Sequence, residues 1–507
     1  MKKLKIYILS VVTLALTSCD ALSLGAIDDY SLENYWNTSE QCDRFMYGLY
    51  NRLRSRQFTF FMMGELRGGL FQTSSSTSIG QGAYYVEIIS NNLSAINPGI
   101  TNWGNFYMDI YQMNHAIDKI SNECSFLTTD ERNQYLGQLY GMRAYYYFHL
   151  HRTYGGVPLC DEPDVLNTDD LVALDKPRST EREIYEFVKA DAARSYEAYS
   201  SLSYGRLDNS PAYWNKAATD CLYADVLLWG AKVTPIGESS LFSSDADGDM
   251  TLARDILLSA EGQSSLADEF GTQFEDDDDD EIIVSVYYNY GEATNSWGLF
   301  TYHISSFTGY SDRDGNLLED PYEVSTAGSL YYEYEFDIYS ELSSNDTRRD
   351  FTYFDFYKTD SSSGAEIEGV FLIKFKGEVI DGARRFDSDW PIYRHADISL
   401  MLAEIYNELG DQTNTAKYIN EIRTRAYEAG TAPTFTYTTS DAAEEAILAE
   451  RDIEFVAEGK RWYDVRRMLG GEKALDLVQG GNEQLLLWPI DASTLSSDAN
   501  VEQTPGY

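Results

Sequence analysis

Basic residues are scarce: 39 Lys and Arg stand against 82 Asp and Glu, a formal net charge of −43 over 507 residues. Nucleic-acid affinity depends on Lys and Arg displacing counterions from phosphates, so nucleic acid is excluded as a partner. Anionic lipid headgroups are equally poor ones, and the charge mainly confers solubility. Histidine is thin as well, with His115, His149, His151, His303 and His395 making up the whole complement. His149 and His151 lie in a helical pattern, where positions two apart point to different sides, so they cannot chelate one ion. Cysteines number five and have no CxxC spacing, which leaves no zinc or redox signature to read. There is no GxSxG elbow, Walker loop or HExxH. Carboxylate pairs are abundant, but a glycosidase needs two of them about 5 to 9.5 Å apart across a sugar, a distance that no sequence supplies. No Pro-rich or Ser/Gly-rich linker divides the chain either, so one large body or two fused lobes is expected.

The first residues give an address. Lys2, Lys3 and Lys5 precede an apolar run from Ile6 to Leu16 that ends in Leu16-Thr17-Ser18-Cys19, the pattern of a signal peptide (1–18) with a lipobox. The run is shorter than the roughly 20 residues a membrane span needs. The anchor is therefore expected to be chemical, with Cys19 as the lipidated mature N-terminus held by acyl chains. Cys42, Cys124, Cys160 and Cys221 remain, and export permits up to two disulfides among them.

Periodicity predicts a mainly α protein. Leu136, Leu139, Tyr140, Arg143, Tyr147 and Leu150 recur at helical steps. From Trp214 to Gly230, Ala217, Cys221, Ala224 and Leu228 form a stripe whose small members allow close helix approach. Between Leu400 and Arg425, Ala403, Tyr406, Gly410, Ala416 and Ile419 nearly reproduce tetratricopeptide spacing. Such a helix pair cannot bury its apolar face alone, so these segments predict a tetratricopeptide-like, α-solenoid-like scaffold. Residues 19–231 and 391–507 are read as its two helical parts. Residues 232–390 change texture to Gly, Ser, Asp and aromatics, with short strands expected at Ile282 to Tyr287 and Phe371 to Phe375. Binding loops are expected in that region.

Three charged motifs stand out. The acidic run Glu275 to Glu281 reads as a solvated loop or a weak cation site. Asp245-x-Asp247-Gly248-Asp249 and Asp312-x-Asp314-Gly315-Asn316 resemble pieces of a calcium loop but lack its twelfth-position Glu, so each reads as a turn, with a structural calcium as the alternative; no other cofactor or metal is expected. Glu450, Glu454 and Glu458, one turn apart and followed by Arg461, Arg466 and Arg467, read as a charge ladder on a helix and a satisfied structural network.

Taken in order, several motifs resemble the SusD/RagB group of outer-membrane lipoproteins from starch-utilisation-type systems of Bacteroidetes. They are the lipobox, Asn34-Tyr35-Trp36-Asn37-Thr38, Trp103-x-x-x-Tyr107-x-x-Ile110-x-x-x-Asn114, and Arg143-Ala144-Tyr145 leading to Tyr154-Gly155-Gly156-Val157-Pro158-Leu159. Later come Arg394-x-Ala396-Asp397-Ile398, the Glu-Arg helix, Leu487-Trp488-Pro489-Ile490 and a terminal Gln503-Thr504-Pro505-Gly506-Tyr507, where Thr504 replaces the family's usual Asn. The resemblance implies a cell-surface protein of the outer membrane, without enzyme activity, that sits over a SusC-like TonB-dependent transporter and hands it oligosaccharide or polysaccharide. A binding subunit for peptides or glycoproteins, and a surface glycosidase, are the alternatives. Which glycan is bound lies beyond the sequence.

Sugars stack CH faces on flat rings and bond hydroxyls to Asn, Asp, Gln and Arg, and aromatics make up 14% of this chain. Trp214 and Trp229 lie on a core stripe, while Trp36, Trp390, Trp462 and Trp488 fall in the shared framework motifs. Trp297, in Asn295-Ser296-Trp297-Gly298 with Tyr302 nearby, is the first candidate platform. Trp103, followed by Asn105, resembles the position where the starch-binding member presents an aromatic. Tyr84 and Tyr85, after the flexible Ser74 to Gly82 stretch, come third.

Overall fold

Threonine followed three residues later by Gln or Glu starts three of the long helices. Thr38 with Gln41, Thr128 with Glu131 and Thr180 with Glu183 each form a reciprocal capping box, satisfying backbone donors that a helix start leaves open. The computed structural model describes residues 35–72, 83–100, 103–163, 175–275, 279–295, 309–320, 323, 333–359 and 363–507. Its principal helices are α1 (Ser39–Gly64), α2 (Ala83–Ile89), α3 (Gly104–Asn122), α4 (Thr129–Tyr154), α5 (Glu181–Tyr199), α6 (Lys216–Lys232), α7 (Ala246–Glu261), α8 (His395–Glu408), α9 (Gln412–Ala426), α10 (Ser440–Glu454) and α11 (Arg461–Arg467).

From α3 to α10 each helix packs on the next, which is the expected helical stack, and α1 lies against α3, α4 and α11. The α8/α9 pair falls where the tetratricopeptide spacing placed one, with Gly410 at φ +76° in its turn and Tyr406 stacked on Tyr418. Small residues do bring helices close. A Cβ added to Gly141 on α4 would lie 2.2 Å from the Trp214 indole nitrogen. Helix α7 lies inside the span read as loop-rich. Its Met250, Ala253, Ile256, Leu257 and Ala260 face the core, and it packs between α6 and α8.

After α7 the chain leaves the stack, returning only at α8. This excursion holds β2 (Ile282–Val286), β3 (Tyr310–Ser311), β4 (Glu333–Tyr334), β5 (Tyr353–Thr359), β6 (Glu366–Leu372), β7 (Val379–Ile380), β8 (Ala383–Arg384) and β9 (Trp390–Arg394), with β1 (Phe71–Gln72) coming earlier in the chain. β2 pairs antiparallel with β9, β1 with β4 and β7 with β8, while β3, β5 and β6 form a small antiparallel sheet. The strand expected at Phe371 to Phe375 begins earlier, at Glu366, and ends at Leu372.

A buried charge network clamps the excursion to the stack. Arg394, at the end of β9, is fully buried and reaches Glu281 (2.5 Å), Glu454 (2.7 Å) and Glu458 (2.9 Å). Arg348 joins Asp346, Glu450 and Glu454, and Arg425 joins Glu281 and Glu454. Glu281, read as the end of a solvated acidic run, is therefore a core carboxylate, because two guanidinium groups compensate its burial. The Glu450 ladder is also only partly helical. α10 ends at Glu454, Ala457 and Gly459 take positive φ, and Glu458 enters the network from the following turn. The turn is held by Glu65, whose carboxylate accepts the N–H groups of Ala457 (2.9 Å), Gly459 (3.0 Å) and Lys460 (3.1 Å).

Asp245 caps α7 by accepting Gly248 N–H, and Asp312 accepts the N–H groups of Asp314 and Asn316 in a tight turn. Both behave as local turn chemistry. Cys42, Cys124, Cys160 and Cys221 are buried free thiols. No helix among the described residues is long and apolar enough to cross a membrane.

Candidate functional site

The β2/β9 ladder positions a cleft. At one end Arg394 fixes the strands to the charge network; at the other, beyond the Val286–Trp390 pair, the two chains part. Asp389 holds the point of divergence, its carboxylate accepting the Tyr288 N–H (2.7 Å) and the Ser285 hydroxyl (2.7 Å). Between the separating chains lies a cleft of about 480 Å³, whose walls include Tyr288, Tyr290, Phe351, Lys376, Arg384 and Asp387. That volume falls in the range of small-molecule sites.

Tyr290 supplies the open ring. It is 45% exposed, and the Arg385 guanidinium lies 4.9 Å from its centroid, holding one face by a cation–π contact. Tyr288 is buried behind it, pinned through its backbone. The rest of the lining is polar. Ser388 accepts Gly377 N–H, Asp387 accepts Glu378 N–H, and Arg384 donates to the Gly377 carbonyl, so the loop around Gly377 is fixed by three bonds. Gly377 is required there: its φ is +68° and a Cβ would meet the Arg385 carbonyl at 1.9 Å.

Lys374 roots the cleft in the network. Its ammonium donates to the carbonyls of Glu454 (2.9 Å) and Val456 (3.2 Å) and to Glu458 (2.6 Å). Burial pulls its pKa down to about 8, Glu458 pulling it back up and Arg394 adding to the fall. Lys376, two residues on, is half-buried with no carboxylate in ion-pair range among the described residues. Carboxyls that burial lifts to about 7, Glu65, Glu181 and Asp220, lie outside the cleft.

The sequence candidates are placed unevenly. Trp297 and Tyr302 lie outside the described residues, although the described chain runs up to Asn295, which is bonded to the cleft rim at Phe386 and Ser388. Tyr84 and Tyr85 belong to α2, their side chains being outside the description. Asn105 is half-buried in the first turn of α3. Trp103 is corrected: it is 8% exposed, with Tyr107 and Tyr154 packed edge-on against it, so it offers no open face to a sugar. Trp36, Trp214, Trp229, Trp390, Trp462 and Trp488 are buried, as the framework reading has them. Tyr290 was not among the candidates. Its signal is the run Tyr287-Tyr288-Asn289-Tyr290-Gly291, where aromatics continue past the end of a strand into a glycine turn.

His149 and His151 are both buried and point to different partners, Tyr463 for the first and the Tyr185/Phe242 pair for the second. Burial lowers both pKa values, His151 to about 3. They are neutral core side chains.

Comparison with known proteins agrees with this architecture. Residues 369–507 match the SusD family, and residues 28–222 match a family described as starch-binding, associating with outer membrane. A SusD superfamily protein of Bacteroides fragilis is 33% identical, with a TM-score of 0.82 over 93% of this chain and 100% of that one. SusD-like protein P38 of Formosa agariphila is 25% identical across 100% of this chain and 99% of its own length. Surface glycan-binding protein A of Bacteroides thetaiotaomicron, whose structure contains laminarihexaose, shares the fold, with a TM-score of 0.70 at 16% identity over 92% of this chain and 100% of that one. The chain belongs to the SusD superfamily.

Proposed function

We propose that this protein is a non-catalytic, lipid-anchored, cell-surface lipoprotein that captures an oligosaccharide or polysaccharide in the Tyr290 cleft and delivers it to a SusC-like TonB-dependent transporter. The carrying observation is the half-open Tyr290 ring, held from one side by Arg385, over a polar-lined cleft of about 480 Å³. A flat ring matches the CH face of a pyranose, and Asn289, Asp387 and Lys376 offer donors and acceptors for its hydroxyls. Trp297 and Tyr302 are further platform candidates on the chain that follows Asn295, as are Tyr84 and Tyr85.

Support comes from the relative seen with laminarihexaose and from the outer-membrane association in the name of the matched family. One shallow aromatic site gives an affinity near millimolar, about −4 kcal/mol. That suffices where Cys19 acylation holds the protein beside its transporter at high effective concentration.

The test is electrophoresis of the mature protein through gels containing a panel of neutral and acidic polysaccharides, alongside Tyr290→Ala. Retardation of the parent by at least one polysaccharide, lost in the variant at an unchanged melting temperature, is expected. Unretarded parent protein, or equal retardation of both, overturns the reading. Anchoring is tested separately: Cys19→Ala should move the protein from the membrane to the soluble fraction.

A further inference from the structure

The Tyr287–Glu292 segment has a second side. Tyr288, Asn289 and Tyr290 line the cleft described above, whereas Tyr287 and Glu292 line a separate cleft of about 410 Å³. Its other wall is formed by α1 and by the chain entering α6. Two tyrosine rings stand open there. Tyr47 is 47% exposed and Tyr213 half-buried, their centroids 6.0 Å apart and their planes inclined at 47°.

Neighbouring Tyr50 differs in kind. Its hydroxyl donates to Gln138 (2.5 Å) and accepts the Trp214 N–H (2.9 Å), and its ring meets Tyr213 edge-on. Tyr50 thus packs, partly buried, against the core and braces Tyr213. The hydroxyls of Tyr47 and Tyr213 take no hydrogen-bond partner among the described residues. A tyrosine used for packing buries its ring and bonds its hydroxyl, and these two do neither fully.

Polar groups complete the wall. Arg54 pairs with Glu292 at 2.7 Å across the hollow and also donates to the Tyr287 carbonyl (3.3 Å). The Glu292 carboxylate stays 57% exposed. A guanidinium and a carboxylate beside open aromatic faces supply both donors and acceptors for adjacent sugar hydroxyls. Because the two charges neutralise each other, the hollow favours an uncharged sugar. Tyr287 and Tyr290 are three residues apart, so their Cα atoms lie at most about 11 Å apart. A glycan crossing that wall passes from one cleft to the other.

We infer that the hollow between Tyr47, Tyr213 and the Arg54–Glu292 pair is a second saccharide subsite for uncharged sugar residues, so that a single glycan chain occupies both clefts. This rests on the glycan-binding reading of the Tyr290 cleft. Its signature is dependence on ligand length.

The experiment titrates the mature protein calorimetrically with neutral disaccharides and octasaccharides cut from laminarin, xylan, mannan and dextran. The variants are Tyr213→Ala, Tyr47→Ala, Tyr290→Ala and the packing-neutral Glu292→Gln, which keeps the test valid if an alanine variant misfolds. Tyr213→Ala, Tyr47→Ala and Glu292→Gln are expected to weaken octasaccharide binding about three- to tenfold, the size of one lost aromatic or polar contact, and to leave disaccharide binding unchanged. Tyr290→Ala is expected to weaken both. If the octasaccharide binds no more tightly than the disaccharide, or the three variants leave its affinity unchanged while Tyr290→Ala lowers it, the second subsite is refuted and the first cleft stands. Polysaccharide retardation without any neutral oligosaccharide binding also refutes the second subsite alone. Failure of every glycan, neutral and acidic, removes both.

Discussion

Replacing Arg394 by methionine keeps most of the side chain's bulk and takes away its charge and all five donors. Those donors reach Glu458 through Nε (3.0 Å), Glu281 and Glu454 through Nη1 (2.5 and 2.7 Å), and Glu458 and the Glu454 carbonyl through Nη2 (2.9 and 2.8 Å). Three buried carboxylates lose a partner at once. Each keeps at least one other cation: Arg425 at Glu281 (2.7 Å), Arg348 (3.2 Å) and Arg425 at Glu454, and Lys374 (2.6 Å) and Lys460 (3.7 Å) at Glu458. The loss is therefore comparable to breaking one buried pair, about 3–5 kcal/mol, a large share of a typical stability of about 5–15 kcal/mol. Urea unfolding of R394M should show that drop. Hydrogen exchange should place the first openings in β2, β9 and the turn after α10. Adding Glu458→Gln should recover part of the loss, with a coupling of about 1–3 kcal/mol in a double-mutant cycle. A cost under about 1 kcal/mol, or no coupling, refutes the claim that this network clamps the strand region to the stack.

Trp103→Ala should destabilise by about 3–5 kcal/mol, since it empties a core position, whereas Tyr290→Ala should stay within about 0.5 kcal/mol of the parent; thermal melts of the two decide, and an undisturbed Trp103→Ala contradicts its burial. Acid should unfold the network in a defined window. Burial alone would raise Glu458 and Glu404, but the cations beside them, Arg394 and Lys374 for the first and Arg467 and Lys232 for the second, hold each at about 2. A carboxyl with a folded pKa below its unfolded value adds stability above about pH 4.5. That stability is lost as the pH falls towards 2, so urea midpoints should decline across this range, and a flat profile contradicts the assignment. Lys374 should respond to Arg394 as well: R394M removes a neighbouring like charge, and the ammonium pKa, held at about 8, should rise, as measured by NMR titration.

The helical stack was legible because its signals are local. Capping boxes at Thr128 and Thr180, the small-residue stripe through Cys221 and Ala224, and the tetratricopeptide spacing after Leu400 each arise within one or two turns. Ile282 to Val286 was legible for the same reason. What was not legible depends on distant partners. Nothing near Glu458 says that Glu65, far away in sequence, will hold the turn that ends α10 early. Glu281 reads as one more acid in a solvated run until Arg394 and Arg425 are placed beside it. Trp103 looked like a free indole at a helix start, and its burial comes from Tyr154, one helix further on. Tyr290 was hidden by abundance, since among 40 tyrosines only the parting of β2 and β9 marks this one as open.

The most direct measurement of where sugar binds is hydrogen–deuterium exchange on the mature protein, with and without a saturating oligosaccharide chosen from the polysaccharide that retards it most. Protection of residues 287–295 and 374–388, the two chains that part beyond β2 and β9, is the predicted result, joined by residues 47–54 and 212–213 where a longer oligosaccharide also fills the second hollow. Protection confined to the α3–α10 stack, with those two segments unchanged, contradicts it.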